Sequence, residues 1–347
     1  MTAPESGPEP MSPQKRTMLG GGVLLLVIGI IAALVAPRAD AANGAGVLIG
    51  AYPSPRGVET TQQAVERLER DLGSTLPVLR DYSSFGKRLD NPYHKWAIGG
   101  GRRLFLSFTA KRDNGTKVLW RDIANAPAGS PLHNELVAMA DSAKALGSPL
   151  ILAFHHEPES KANLNYGTSA DFIAAWRKVV TVFRSRGVTN AKWVWTMTSW
   201  AYEVTTTDRR SAAKWYPGDA YVDYLGADPY NWNLCRGGTT EPWKPLAATI
   251  APFLAFGDTH PTKKLALPEF GSDEGSSPGA KAAWLGEVRN LMKQAPYADR
   301  FAVISYFHNQ HAGEIDCAWW LDSGPATMTA AKAWFADPFF RNVAAVN

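Results

Sequence analysis

Residues 149–160 read PLILAFHHEPES, and the way this stretch folds decides the reading of the whole chain. Pro149 to Phe154 is an apolar run of strand length without polar alternation, the pattern of a strand covered on both faces in a parallel sheet. His155, His156 and Glu157 follow it directly. Two imidazoles and a carboxylate at the end of a core strand call for an architecture whose strand ends open onto a site.

Seven other runs share this character: GVLIGAY (46–52), PVLRDY (77–82), RLFLSF (103–108), KWVWTM (192–197), YVDYLGAD (221–228), KLALPE (264–269) and FAVISYF (301–307). Amphipathic helical patterns lie between them. The clearest is TSADFIAAWRKVVTVFRSRG, with Phe172, Trp176, Val179 and Phe183 on one stripe, Thr168 or Ser169 as N-cap and Gly187 as stop. TTQQAVERLERDLG, PLHNELVAMADSAKALG and GAKAAWLGEVRNLMKQA repeat the logic. Eight strands alternating with helices predict a (β/α)8 TIM barrel, an α/β fold in one domain over residues 43–347, with an open sheet as the alternative.

Residues 1–42 stand apart. Met1 to Gln14 carry four prolines and no apolar period, so disorder is expected there. Lys15 and Arg16 then precede an uncharged apolar run over residues 18–36, followed by the small-residue site ADA at 39–41. This reads as a secretory signal. The run also approaches the roughly 20 residues that cross a bilayer, so an uncleaved membrane tether through residues 18–36 is the rival reading. Either way the domain is expected outside the cell, secreted or anchored on the outer face of the plasma membrane. Cys235 and Cys317 are the only cysteines, and an oxidising compartment favours a disulfide between them over two free buried thiols.

With 347 residues, 45% hydrophobic, the chain can bury a large core. A net charge of +4 with scattered Lys and Arg leaves no nucleic-acid footprint. Most of the 13 Trp and 11 Tyr are expected in the core, and any surplus at loop positions would suit stacking on sugar rings.

In a TIM barrel, catalytic groups project from the C-terminal strand ends. Two of these ends offer a glutamate: Glu157 after the fourth strand and Glu269 after the seventh. Hydrolysis of a glycosidic bond needs such a pair, one carboxyl to protonate the leaving oxygen and one to attack the anomeric carbon. Glu157 is the candidate acid/base, its proton retained by repulsion from an ionised Glu269, the candidate nucleophile. His156 is placed to orient Glu157 or bind a hydroxyl, and Tyr230 to donate to Glu269. His155 is read as core, because strand neighbours alternate faces. Asn231, Trp232, Trp200, Phe307 and Trp319 are candidates for lining a sugar groove, with loop packing as the alternative for Asn231 and for each tryptophan. Asp228, before a proline, is read as an acceptor of backbone hydrogen bonds; Asp81 and Tyr52 have only their strand-end position to recommend them.

The ordered segments FHHEP, KWVWTMTSW, YVDYLGADPYNW, LPEFGS and ISYFHNQ resemble glycoside hydrolase family 26, mostly β-mannanases, over about Val47 to Phe340. The resemblance implies Glu157 as acid/base, Glu269 as nucleophile, His156 as the histidine preceding the acid and Tyr230 as the tyrosine on the nucleophile. It implies a retaining endo-β-glycosidase acting on a polysaccharide or oligosaccharide, β-1,4-mannan first. Two departures stand out. HHEPES replaces the family's His-Glu-Met-Asn-Gly, and Phe307 stands where those mannanases tend to carry a stacking Trp. A β-xylanase, a β-1,3-1,4-glucanase and a non-catalytic glycan-binding barrel are the alternatives. Neither metal nor cofactor is expected: adjacent His155 and His156 cannot face one ion from a regular strand. A monomer is expected.

Overall fold

The structure is a computed structural model and describes residues 46–233, 235–236, 241–311 and 317–342. The expected leader, with its signal or tether, lies outside the described residues; among them no helix is long and apolar enough to cross a membrane.

The eight apolar runs are strands. They are β1 (Leu48–Pro53), β2 (Val78–Ser83), β3 (Arg103–Phe108), β4 (Leu150–Phe154), β5 (Ala191–Thr198), β6 (Tyr224–Asp228), β7 (Lys264–Ser272) and β8 (Phe301–His308). Each pairs in parallel with the next, and β8 returns to β1 in the register Leu48↔Val303 to Pro53↔His308. The sheet is therefore a closed barrel, and the open-sheet alternative is excluded.

Helices α1 (Thr61–Leu72), α2 (Pro92–Gly99), α3 (Pro131–Ala145), α4 (Ser169–Ser185), α5 (Leu246–Asp258), α6 (Ala280–Met292) and α7 (Pro325–Phe335) occupy the connections. Their limits follow from capping chemistry. Thr60 accepts the Gln63 N–H at the start of α1, and Gly73 ends it in the left-handed conformation, φ 73°. Thr168 accepts from Asp171 at the start of α4. One connection departs from the expected alternation: between β5 and β6 the chain makes only 3-10 turns, at Ser199–Tyr202, Ala212–Lys214 and Asp219–Tyr221. The β-branched run Val204 to Thr207 and the Pro217–Gly218 pair oppose an α-helix there. Strand β6 accordingly starts three residues later than its apolar run.

Two apolar layers hold the barrel. Inside, Leu48, Val78, Phe105, Ile151, Val194 and Val303 fill the lower part. Outside, α4 lays Phe172, Trp176 and Phe183 on Phe108, Phe154 and Trp193, with ring centroids 5.1–6.4 Å apart across the Phe154–Trp176, Phe108–Phe183 and Phe183–Trp193 pairs. Burial of each such side chain contributes about 1.5–3 kcal/mol. The interior is not wholly apolar: Arg80 of β2, with no exposed surface, donates to Ser107 Oγ at 2.9 Å and to the Pro268 carbonyl at 3.3 Å. Its charge sits directly beneath the mouth.

The β7–β8 register shifts between Leu267 and Phe270. Pro268 lacks an N–H for the ladder, and an irregularity of this kind re-aims the side chains beside it. Glu269 is one of them. Cys235 and Cys317 form a disulfide across 82 residues, tying the loop after β6 to the segment after β8.

Candidate active site

Strand β4 ends at Phe154, and the acidic loop begins with an unusual backbone. His155 and Glu157 both adopt positive φ, 47° and 50°. Non-glycine residues pay for that conformation, so the surroundings must hold it. His155 turns into the core: its Nδ1 accepts from the Ala110 N–H at 3.0 Å and from Trp120 Nε1–H at 3.2 Å. Burial drives its pKa down to about 3, so the ring stays neutral. Its inward direction comes from this left-handed turn, since strand alternation has already ended. The Glu157 N–H donates to the Thr196 carbonyl at 3.0 Å, and its own carbonyl accepts from Asn163 Nδ2 at 2.9 Å.

Glu269 sits opposite, 7% exposed, with both carboxylate oxygens engaged. Tyr82 donates to Oε1 at 2.6 Å and Tyr230 to Oε2 at 2.8 Å. Arg80 Nη2 and His156 Nε2 lie 3.6 and 3.7 Å from Oε1. Burial alone would raise the Glu269 pKa; His156, Arg80 and the two phenols outweigh it and hold the group below the ordinary carboxylate range. Burial takes His156 itself down to about 4, so at neutral pH the standing positive charge on this site is Arg80. Glu157 is pushed well above the ordinary range, first by burial, then by Glu269 and Glu159. The pocket thus shifts its two carboxyls in opposite directions, Glu157 up and Glu269 down.

A third acid shares the pocket. Asp228, 3% exposed, accepts the Glu269 N–H through Oδ1 at 2.9 Å, as its position before a proline suggested. Burial and the charges of Glu269 and Glu157 raise its pKa well above the usual range. His156 faces Glu269 rather than orienting Glu157.

The aromatic candidates separate sharply. Phe307 stacks on Tyr52 at 5.3 Å and meets Tyr230 edge-on at 6.1 Å. Trp232 is half-buried beside Tyr230 at 5.2 Å. Trp200 is 38% exposed with the Arg210 guanidinium 4.0 Å over its ring. Two candidates need correction. Trp319 has no exposed surface and packs behind Tyr230 at 4.9 Å, so it buttresses the tyrosine and presents no face to a sugar. Asn231 is also buried, and its amide is spent on Ser272 Oγ and the Lys244 N–H; it fastens the loop.

Sequence reasoning missed Arg80 and Tyr82, naming Asp81 between them. The available signal was the strand period: residues 80 and 82 share one face of β2, and an arginine inside an apolar run must meet a charge or acceptors. Asp81 Oδ2 instead accepts from His94 Nε2 at 2.8 Å, while His94 Nδ1 meets the Leu89 carbonyl at 2.6 Å. Asp81, Tyr82, Lys87, Asn91 and Tyr93 line a groove of about 650 Å³ beside the catalytic pocket.

The chain is similar to several known proteins. Residues 105–252, which include Glu157 and Tyr230, match Glycosyl hydrolase family 26. The chain is 26% identical over 324 residues to Endoglucanase H of Acetivibrio thermocellus, covering 89% of this chain but 33% of that one, so it spans a third of that relative's length. A modular endo-β-1,4-mannanase from Cellulomonas fimi shares the fold with a TM-score of 0.61 at 21% identity, over 87% of this chain and 74% of that one. The mannanase man26 of Bacillus subtilis does so with a TM-score of 0.53 at 16% identity, over 85% and 86%. The chain is thus a (β/α)8 barrel whose central part, residues 105–252, is similar to glycosyl hydrolase family 26.

Proposed function

We propose that the chain is a retaining endo-β-glycosidase with Glu157 as acid/base and Glu269 as nucleophile, acting on β-1,4-mannan. The observation that carries this reading is the meeting of two carboxyls in one pocket, with Tyr82, Tyr230, Arg80 and His156 gathered on Glu269 while burial and Glu269 push Glu157 up. In the first step a Glu269 oxygen attacks the anomeric carbon while Glu157 gives its proton to the departing glycosidic oxygen. In the second, Glu157 takes a proton from water, which displaces Glu269 from the sugar. Tyr82 and Tyr230 hold the nucleophile at a fixed angle throughout, and Arg80 sustains its charge before attack. Neutral His156, Phe307, Trp232 and Trp200 contribute polar and flat surface around the ring that reacts. The groove beside Tyr82 gives a polymer room beyond the cleaved bond, which supports an endo mode.

Mannan is favoured by the mannanases that share the fold. A glucan, including a mixed-linkage one, is the second reading, favoured by the longer sequence match to a protein named endoglucanase and by the departures at HHEPES and Phe307. A substrate of this size also agrees with an exported domain, for which the leader at residues 1–42 is the sequence support; N-terminal sequencing of the exported protein tests it, with a start near Ala42 for free secretion.

Reducing-sugar release from mannan, glucomannan, xylan and mixed-linkage glucan, with proton NMR of the first product anomer, tests the function. Release with retained configuration from one of these, abolished in Glu269→Ala, supports the reading. Glycan affinity with no release from any of them makes the barrel a binding protein.

A further inference from the structure

Glu159 lies two residues beyond the acid and takes no part in the chemistry above. It is 1% exposed, a rare state for a glutamate. Its Oε1 accepts twice from Thr198, from the N–H at 2.8 Å and from Oγ1–H at 2.6 Å. Its Oε2 is buried with no hydrogen-bond partner. Such an oxygen is costly unless it carries a proton or its charge has a use.

The placement suggests the use. Glu157 hangs from β5 by its N–H on the Thr196 carbonyl, and Glu159 hangs from the same strand two residues on, at Thr198. These two attachments straddle the left-handed turn at Glu157. A loop bearing a strained acid is thereby held flat against a rigid strand end, as a working general acid requires.

We propose that Glu159 is a positioning residue for the acid/base: bound to Thr198, it clamps the strained loop to β5 two residues from Glu157 and sets a second buried carboxyl on the same short loop. The inference rests on the reading of Glu157 as acid/base. Burial raises the Glu159 pKa to about 7, against the opposing pull of Thr198 and Arg210. Glu159 therefore ionises as the solution turns alkaline, the range in which a general acid starts to lose its proton. Its new charge then resists that loss, and the two carboxyls titrate as a pair. The ionisable groups around them are few. Tyr202, on the turn after β5, stays neutral because burial and Glu159 raise its pKa. Arg210 attracts Glu159 from the loop beyond, and Glu269 and Asp228 face Glu157 across the pocket.

The test is the pH profile of kcat/KM for Glu159→Gln. Glutamine keeps an acceptor for Thr198 and removes the charge. The alkaline limb should move to lower pH by on the order of one unit, while the acid limb, set by Glu269, stays in place. Glu159→Ala should lose the clamp as well and fall in rate across the whole range. Should the glutamine variant fail to fold, Thr198→Val removes one donor from Oε1 and should move the same limb the same way by less. A superimposable alkaline limb in folded Glu159→Gln, or in Thr198→Val should the glutamine variant not fold, overturns the inference. Glu157→Ala with an activated aryl glycoside and azide separates this from failure of the underlying reading. Formation of the β-glycosyl azide upholds Glu157 as acid/base whatever Glu159 does; its absence removes both.

Discussion

Removing the Tyr82 hydroxyl tests how the nucleophile is kept ionised. In Tyr82→Phe the ring and its packing against Tyr52, 4.8 Å away, remain, and only the 2.6 Å bond to Glu269 is lost. A hydrogen bond to a charged group contributes about 1.5–3 kcal/mol, and about 1.4 kcal/mol corresponds to one pH unit. Tyr230 at 2.8 Å and Arg80 at 3.6 Å still support the charge, so the lower end applies. The acid limb of kcat/KM should therefore rise by about one unit, with the alkaline limb unmoved. Stability follows with a definite sign. Because the folded-state pKa of Glu269 is depressed, its contribution is full above the unfolded carboxylate range and fades as pH falls through the folded value; the variant should lose that contribution at higher pH than wild type. The assay is a pH series of initial rates beside chemical denaturation at matched pH. An unmoved acid limb in a folded Tyr82→Phe protein would refute the claim that this phenol sets the charge state of the nucleophile.

Other outcomes follow from the same geometry. Asp228→Asn keeps the acceptor for the Glu269 N–H and removes a carboxyl whose charged form burial disfavours, so its unfolding free energy at neutral pH should lie within about 1 kcal/mol of wild type; a larger loss would mean that a charge on Asp228 supports the fold. Cys235→Ser opens an 82-residue loop beside Trp232 and Trp319 and should cost roughly 2–5 kcal/mol, read as a lower Tm that reductant reproduces in the wild type. Tyr93→Ala strips a wall of the groove and should raise KM for the polymer while leaving KM for a short aryl glycoside near its wild-type value; equal effects on both would remove the groove from the substrate path.

Much of the fold was legible because burial on both faces erases alternation. A strand inside a parallel barrel reads as a plain apolar run, and eight such runs are hard to arrange otherwise. Helix limits were legible where a cap has local chemistry, as at Thr60, Gly73 and Thr168. The connection after β5 defeated the pattern, because its β-branched run and Pro217–Gly218 settle into 3-10 turns that still span the distance to β6. Within the site, Glu157, Glu269 and Tyr230 could be named from strand-end position alone. Trp319 could not be told from Trp232, since a tryptophan in a loop has the same composition whether it backs a tyrosine or faces a cleft.

The order of residues alone determined the eight strands and the two glutamates at matching strand ends, because apolar spacing and strand-end position are properties of one chain segment at a time. Closure of the sheet decided the rest: that Tyr82 and Arg80 meet Glu269, that His155 turns inward, and that Glu159 lies buried against Thr198. Each depends on which side chains distant in sequence surround a group once water is excluded, and no local pattern contains that.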